Sequence, residues 1–381
     1  MSENQVICAV DVGSTFIKAT LRDGVDNVVA RSTVPYPRDT VEGDLRGHNS
    51  LWIAFTSVIN EVSANQKPDA IIISCQMAGL SMVGQDGMPI GPLIPGVDMH
   101  FPRINMVDVS ASGCGDEAVS TVAKLLWLTE ESPNFDISKV RIGGIKEFLL
   151  QKLTGRWVTD PASASSMGFY SIAEQGWSTQ TLRATKIDVS QLPEIEVMGE
   201  VVGGVLESAA ESCGVSAGTP VFCGLGDGPA ANISSGAIGS DILCLSRGTT
   251  VVARVLFSGT IPDLGPLPFF TQHLQQSWKC VGVRLTVDPS TGFFVLPGED
   301  TAKIPPEGIG QYLQPMIDAF HVQEVRPAGG RDIPLPAHWS VHEVPADAQD
   351  GTRGMTLIAS GWKLEEGRNL FLDKPTGADV Y

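Results

Sequence analysis

Cys223-Gly224-Leu225-Gly226-Asp227-Gly228-Pro229-Ala230-Ala231-Asn232 sets one carboxylate in a glycine-rich turn. The apolar run Thr219-Pro220-Val221-Phe222 before it reads as a strand, and the small residues from Ala230 to Ile238 read as a tightly packed helix. Glycines at 224, 226 and 228 allow positive φ and let a ligand approach the backbone. Asp227 in such a turn serves either as an N-cap for the helix or as a reactive carboxylate held at a strand-to-helix corner. The company this turn keeps elsewhere in the chain favours the second.

Toward the N-terminus, Val6 to Val10 (Val-Ile-Cys-Ala-Val) is a continuous apolar run, as expected of a strand buried on both faces. It leads through Asp11-Val12-Gly13-Ser14-Thr15 into Phe16 to Leu21, which predicts a hairpin with a polar tip. Such tips turn backbone N–H groups and hydroxyls toward an anion, and an aspartate beside them suits a hydrated Mg2+. On the far side of Asp227, Ser240 to Ser246 predicts a strand, Arg247-Gly248-Thr249-Thr250 a second polar tip, and Val251 to Phe257 the returning strand. Two hairpins of one design, roughly a domain apart, predict an internal duplication whose tips face each other across a cleft.

Between them, Leu51 to Val62 has helical spacing and Asp69 to Ser74 reads as a buried strand, followed by Cys75-Gln76-Met77-Ala78-Gly79. Asp98 is an acid in an otherwise apolar, proline-containing loop. Helices are predicted over Ser120 to Leu128 and Ile145 to Leu153, the second stopping at Thr154-Gly155. Residues 157–166 are mostly small and permit close packing or a close approach to a ligand. Beyond Ser258 the chain is punctuated by proline and glycine, with one helical stretch at Gly308 to Phe320, the turn Ala328-Gly329-Gly330-Arg331 and a last apolar piece at Gly354 to Ala359.

A length of 381 residues fits two domains better than one. The net charge is −17 with no concentrated Lys/Arg cluster, which argues against nucleic acid or an anionic membrane surface as a partner. No apolar run is long enough to cross a bilayer, and no basic-then-apolar leader precedes the first strand. Seven cysteines form no CxxC pair and no zinc spacing, so the expected compartment is the reducing cytoplasm.

In their order these segments resemble the FGGY family of carbohydrate kinases, part of the actin/hexokinase-type phosphotransferases. Asp11 to Lys18 is similar to the family's first phosphate loop, and Ile73-Ser74-Cys75-Gln76-Met77-Ala78-Gly79 to its sugar-site strand. Lys124 to Leu128 resembles its Lys-Leu-x-Trp-Leu helix, Gly226 to Asn232 the turn with the catalytic aspartate, and Ser246 to Thr250 the second phosphate loop. Ile145 to Phe148, Thr159-Asp160 and Ala162 to Ser165 lean toward the gluconate-kinase branch. The resemblance implies an α/β fold of two actin-like (ribonuclease H-like) domains, with mixed sheets flanked by helices and a cleft between. The expected division is 1–245, with the sugar site and catalytic aspartate, and 246–381, a shortened C-terminal domain.

The resemblance also implies roles. Asp227 would be the general base and a substrate contact, and Asp11 would position Mg2+ through water. Gly13, Ser14, Thr15, Lys18, Gly248, Thr249 and Thr250 would hold the phosphates of ATP. Gln76, Met77 and Asp98 would line the sugar, and Gly329 and Gly330 would lie against adenosine. Gluconate, a ketopentose and a tetritol are all open as acceptors, and a homodimer is expected. Three departures stand out: Gly96-Val97-Asp98-Met99-His100 keeps only the aspartate of the family's sugar loop, Arg247 replaces a small or apolar residue, and the C-terminal part is short. They motivate an alternative, a homologue without catalysis that binds or regulates. An ATPase or phosphatase of the same superfamily would leave Gln76-Met77 unexplained.

Overall fold

The computed structural model describes residues 5–37, 46–96, 107–115, 117–248, 250–288, 290–295, 303–329, 333–345 and 348–367. Asp98, Thr249 and Gly330 lie outside the described residues.

The first sheet is built on β1 (Val6–Val12), buried along its whole length. It forms a hairpin with β2 (Phe16–Asp23), in which Asp11 faces Lys18, and β3 (Asn27–Pro35) adds an antiparallel edge. Helix α1 (Arg46–Val62) crosses over to β4 (Ala70–Cys75), which pairs parallel with β1. β5 (Val201–Gly204) and β6 (Pro220–Phe222) complete the order β5-β6-β4-β1-β2-β3, with β6 parallel to β4. The second sheet repeats the plan. β7 (Gly239–Arg247) and β8 (Thr250–Ser258) make the second hairpin, flanked by β9 (Phe270–Gln275) and β10 (Trp278–Val287). Short β11 (Phe294–Val295) and β12 (Lys303–Ile304) extend it, and β13 (Glu324–Ala328) returns parallel to β7. In both sheets a three-strand antiparallel unit has its first strand paired in parallel with a strand reached by a helical crossover, the repeat predicted from the two tips.

Helices fill the layers. α1 covers one face of the first sheet through Leu51, Phe55, Val58 and Ile59, joined by α2 (Ile145–Thr154) through Phe148 and Leu149. On the other face lie α3 (Asp227–Ser234) and α4 (Thr352–Ala359). Their Ala230, Ile233, Met355 and Ile358 share one core with Ile7, Ala9 and Ile72 of the first sheet and Leu256, Leu274 and Cys280 of the second. These two helices are therefore the filling between the sheets. They pack backbone to backbone, because a Cβ on Gly354 would stand 2.8 Å from both Ala230 O and Ser234 N. The outer face of the second sheet is closed by Ile309, Leu313, Met316 and Phe320, on the helical stretch Ile309–Phe320. β7 lies wholly in the second sheet, so the expected 245/246 division falls inside a strand, and the last apolar piece belongs with the first sheet rather than the second.

Candidate active site

Parallel strands bring their carboxyl ends to one edge, and ligands of open α/β sheets bind there. β1, β4 and β6 run parallel, and at their carboxyl ends stand Asp11-Val12-Gly13, Gln76-Met77 and Gly226-Asp227. Cys75 N donates to Leu225 O at 3.2 Å, which sets Gln76-Met77 beside the aspartate turn. Gly226 permits that closeness, since a Cβ there would stand 2.0 Å from Met77 Sδ and would displace the Met77 side chain.

Asp227 is the first residue of α3, following Gly226 as N-cap, and its Oδ1 accepts from Gly228 N at 2.9 Å. Gly226 rather than Asp227 is the N-cap, so the capping reading of Asp227 does not hold; its carboxylate stands on the first turn of the helix. Burial pushes its pKa up; the guanidinium groups of Arg254 on β8 and Arg284 on β10 pull it back. Arg254 packs directly on the turn, its Nε 2.8 Å from where a Cβ of Gly228 would be, and its Nη1 donates to Ser246 Oγ at 2.7 Å. This link carries the end of β7, and with it Arg247-Gly248, to the start of α3.

Asp11 is 8 % exposed and accepts from Ser74 Oγ at 2.5 Å. Its pKa is pushed up to about 7 by burial and by the facing carboxylate of Asp350; Ser74 and Lys18 oppose the rise, and Asp227 adds to it. Lys18 Nζ lies 3.9 Å from Asp350 Oδ2. Asp350 itself caps the start of α4 by accepting from Thr352 N and Oγ1, and Gly351 fits against Ser74 and Asp11. The carboxylate oxygens of Asp11 and Asp350 are the donor type a hard cation takes, and Lys18 offsets part of their charge without one. Among the described residues no group of three or more His, Cys, Asp or Glu could hold a metal alone. The pair thus fits Mg2+ carried in with phosphates rather than a cage made by the protein.

Each hairpin tip is closed by a glycine N–H, across turns of different length: Gly13 N donates to Phe16 O at 3.0 Å, three residues on, and Gly248 N to Thr250 O at 3.0 Å, two residues on. Gln76 Nε2 donates to Gly13 O at 3.2 Å, tying the first tip to the end of β4. Gly329, at φ 93°, lies on the backbone of Arg247. A Cβ on Gly329 would stand 2.6 Å from the Arg247 carbonyl oxygen, so the candidate adenosine turn adjoins the second tip. Arg247 reaches Gly329 O at 3.5 Å and Glu343 at 3.9 Å. The sequence reading missed Ser74, Arg254, Gln272, Arg284 and Asp350. A charge inside the apolar strand Val251 to Leu256 was a signal for Arg254; Gln272 had none.

The Asp11–Asp350 pair gives a stability prediction. A carboxyl whose folded pKa lies above its unfolded value of 3.8 holds its proton in the native state, so its contribution is present below about pH 4 and is lost as pH rises toward 7. Asp11→Asn is therefore expected to raise the melting temperature of the metal-free protein at pH 8 and to leave it nearly unchanged at pH 4. A lower melting temperature at pH 8 would overturn this.

Two sheets of one plan, each led by a hairpin with a polar tip, define an actin-like two-domain fold. Solved structures agree. Gluconate kinase from Lactobacillus acidophilus superposes with a TM-score of 0.77 at 19% identity, covering 95% of this chain and 91% of that one. Plasmodium falciparum glycerol kinase with ADP gives 0.78 at 16% identity, covering 96% and 92%. The N-terminal domain of the FGGY family of carbohydrate kinases matches residues 6–234, and the chain belongs to that family. Among curated relatives, xylulose kinase of Lactococcus lactis subsp. lactis (strain IL1403) is 25% identical over 303 residues, 76% of this chain and 60% of that protein. Gluconokinase of Bacillus subtilis (strain 168) is 23% identical over 262 residues, 65% and 51%. The chain thus spans between half and two thirds of the length of these curated relatives. No helix among the described residues is long and apolar enough to cross a membrane.

Proposed function

We propose that this chain transfers the γ-phosphoryl group of ATP to a hydroxyl of a small sugar or sugar acid. The observation that carries the reading is Asp227: a carboxylate with a raised pKa, beside Gln76-Met77, at a helix start on which Arg254 of the second hairpin packs. Phosphoryl transfer asks for alignment and charge neutralisation more than covalent chemistry. Asp227 accepts the proton of the attacking hydroxyl. The tips Gly13-Ser14-Thr15 and Gly248-Thr249-Thr250, with Lys18, donate to phosphate oxygens. Asp11, with Asp350, would hold Mg2+, which supplies charge neutralisation when bound. Gln76, Met77 and Asp98 line the acceptor, and Gly329 and Gly330 take the adenosine. Residues up to about 238 and the α4 helix form one unit, and 239–345 the other.

Xylulose kinase and gluconokinase among the relatives support phosphorylation of a sugar or sugar acid and leave the acceptor open. The test is calorimetric titration with ATP·Mg2+ together with an ADP-release screen over sugars, polyols and sugar acids. Heat at millimolar nucleotide and ADP release with at least one acceptor are expected; no heat at all would favour a homologue that has lost catalysis.

A further inference from the structure

Alternation along β8 sorts its side chains between two layers. Val251, Ala253, Val255 and Phe257 pack in the outer core with Leu313 and Met316, while Leu256 packs with Ile233 of α3, so Arg254 faces the layer between the sheets. It is 9 % exposed there. The residues paired with it across the sheet are Cys244 on β7 and Gly282 on β10, neither of them an acid. Its Nη1 donates to a neutral hydroxyl, Ser246 Oγ, at 2.7 Å, and its Nε has no hydrogen-bond partner. A buried guanidinium with so little compensation is costly.

That guanidinium lies against the first turn of α3. A Cβ on Gly228 would stand 2.8 Å from Nε, 3.1 Å from Cζ and 3.2 Å from Nη2, so a side chain at 228 would push it away. An arginine at the start of a helix adds its charge to the positive end of the backbone dipole, the unfavourable end for a cation. The combination turns favourable when an anion is held there. Asp227 is the acid of that turn, and its Oδ1 already takes the Gly228 N–H. Ser246, the partner of Nη1, stands immediately before Arg247-Gly248 of the second tip. Arg254 therefore touches both the strand end that carries the tip and the turn that carries Asp227.

We propose that Arg254 is a further catalytic residue, its guanidinium forming with the start of α3 an anion site for the terminal phosphoryl group of ATP. This rests on the kinase reading for the identity of the anion. As the acceptor oxygen bonds to the γ-phosphorus, the bond from that phosphorus to the β–γ bridging oxygen breaks. ADP keeps the bridging oxygen and its electron pair, the hydroxyl proton goes to Asp227, and Arg254 donates to a non-bridging oxygen throughout.

The test is calorimetry without acceptor on the full chain and on Arg254→Met and Arg254→Lys, titrating ATP·Mg2+, ADP·Mg2+ and inorganic phosphate. Methionine keeps an unbranched apolar side chain in the layer, and lysine keeps the charge without the planar fork. A contact made to the terminal phosphoryl alone predicts that Arg254→Met weakens ATP·Mg2+ at least about tenfold and leaves ADP·Mg2+ within about twofold. Arg254→Lys should lose less, again on ATP alone. With acceptor present, Arg254→Met should lower kcat by about 10²-fold. An equal loss for ATP and ADP, or no loss for either, overturns the site, because an arginine that only braces the second tip acts on both nucleotides or on neither. If the methionine protein does not fold, the lysine protein decides by the same comparison. Inorganic phosphate separates this proposal from the kinase reading. Phosphate binding that needs Arg254, with no heat from either nucleotide, sinks the kinase reading and leaves the anion site standing. Turnover of ATP with nucleotide binding indifferent to Arg254 sinks the site and leaves the kinase standing. No heat from any of the three ligands overturns both.

Discussion

Asp227→Asn is expected to lower kcat for phosphorylation of the acceptor by about 10²–10⁴-fold, the usual contribution of a positioned general base. Asparagine keeps the shape and the hydrogen bond from Gly228 N but cannot take the hydroxyl proton. Acceptor binding changes far less, because Gln76 and Met77 remain in place. The pH profile gives a second reading of the same group. Burial raises the Asp227 pKa above the ordinary aspartate value while Arg254 and Arg284 restrain it, so kcat rises with pH as that carboxyl loses its proton and then levels off. Removing either arginine shifts the rise to higher pH. Undiminished turnover by the asparagine variant would remove Asp227 from the chemistry.

The largest loss of stability is expected from Lys146→Met. Lys146 on α2 is 2 % exposed and pairs with Asp160, which is fully buried. Burial alone would push the ammonium pKa down, but the Asp160 carboxylate, with Cys223 and Glu147, more than reverses this. Asp160 in turn caps the short helix Pro161–Met167 by accepting from Ala162 N at 2.8 Å and Ser163 N at 3.1 Å. That helix carries Ser166, the partner of Gln272. Methionine in place of Lys146 leaves a buried carboxylate without its counter-charge, at a cost of about 3–5 kcal/mol in the urea-unfolding free energy. Lys146→Met/Asp160→Asn should recover most of it, because the stranded charge is gone and asparagine still caps. A single variant within about 1 kcal/mol of the parent would show that Asp160 finds compensation elsewhere.

Much of this was written locally in the chain. Val6 to Val10 could only be a doubly buried strand, the Gly-Ser-Thr tip followed from its composition, and Gly155 at φ 78° ends α2 where Thr154-Gly155 marked it. Gln76 and Asp227 were legible because each sits a few residues at most past a buried strand. What was not legible comes from pairing between distant segments. Arg284 and Gln272 look like ordinary strand residues until the second sheet is laid against α3. Asp350 is 339 positions from Asp11, and nothing near it in the sequence announces a carboxylate partner. The same holds for β7, which runs across the expected 245/246 division: a strand's sheet is chosen by its pairing, and β7 pairs with β8 and β13.

The position of α4 has a consequence for how the molecule folds. Met355 and Ile358 cover Ile7, Ala9 and Ile72, which lie far from them in the sequence. Contacts of such long range form late, because the entropy of closing the intervening chain is lost before they reward it. Until they form, one apolar face of the first sheet is bare and Asp11 lacks its neighbour Asp350.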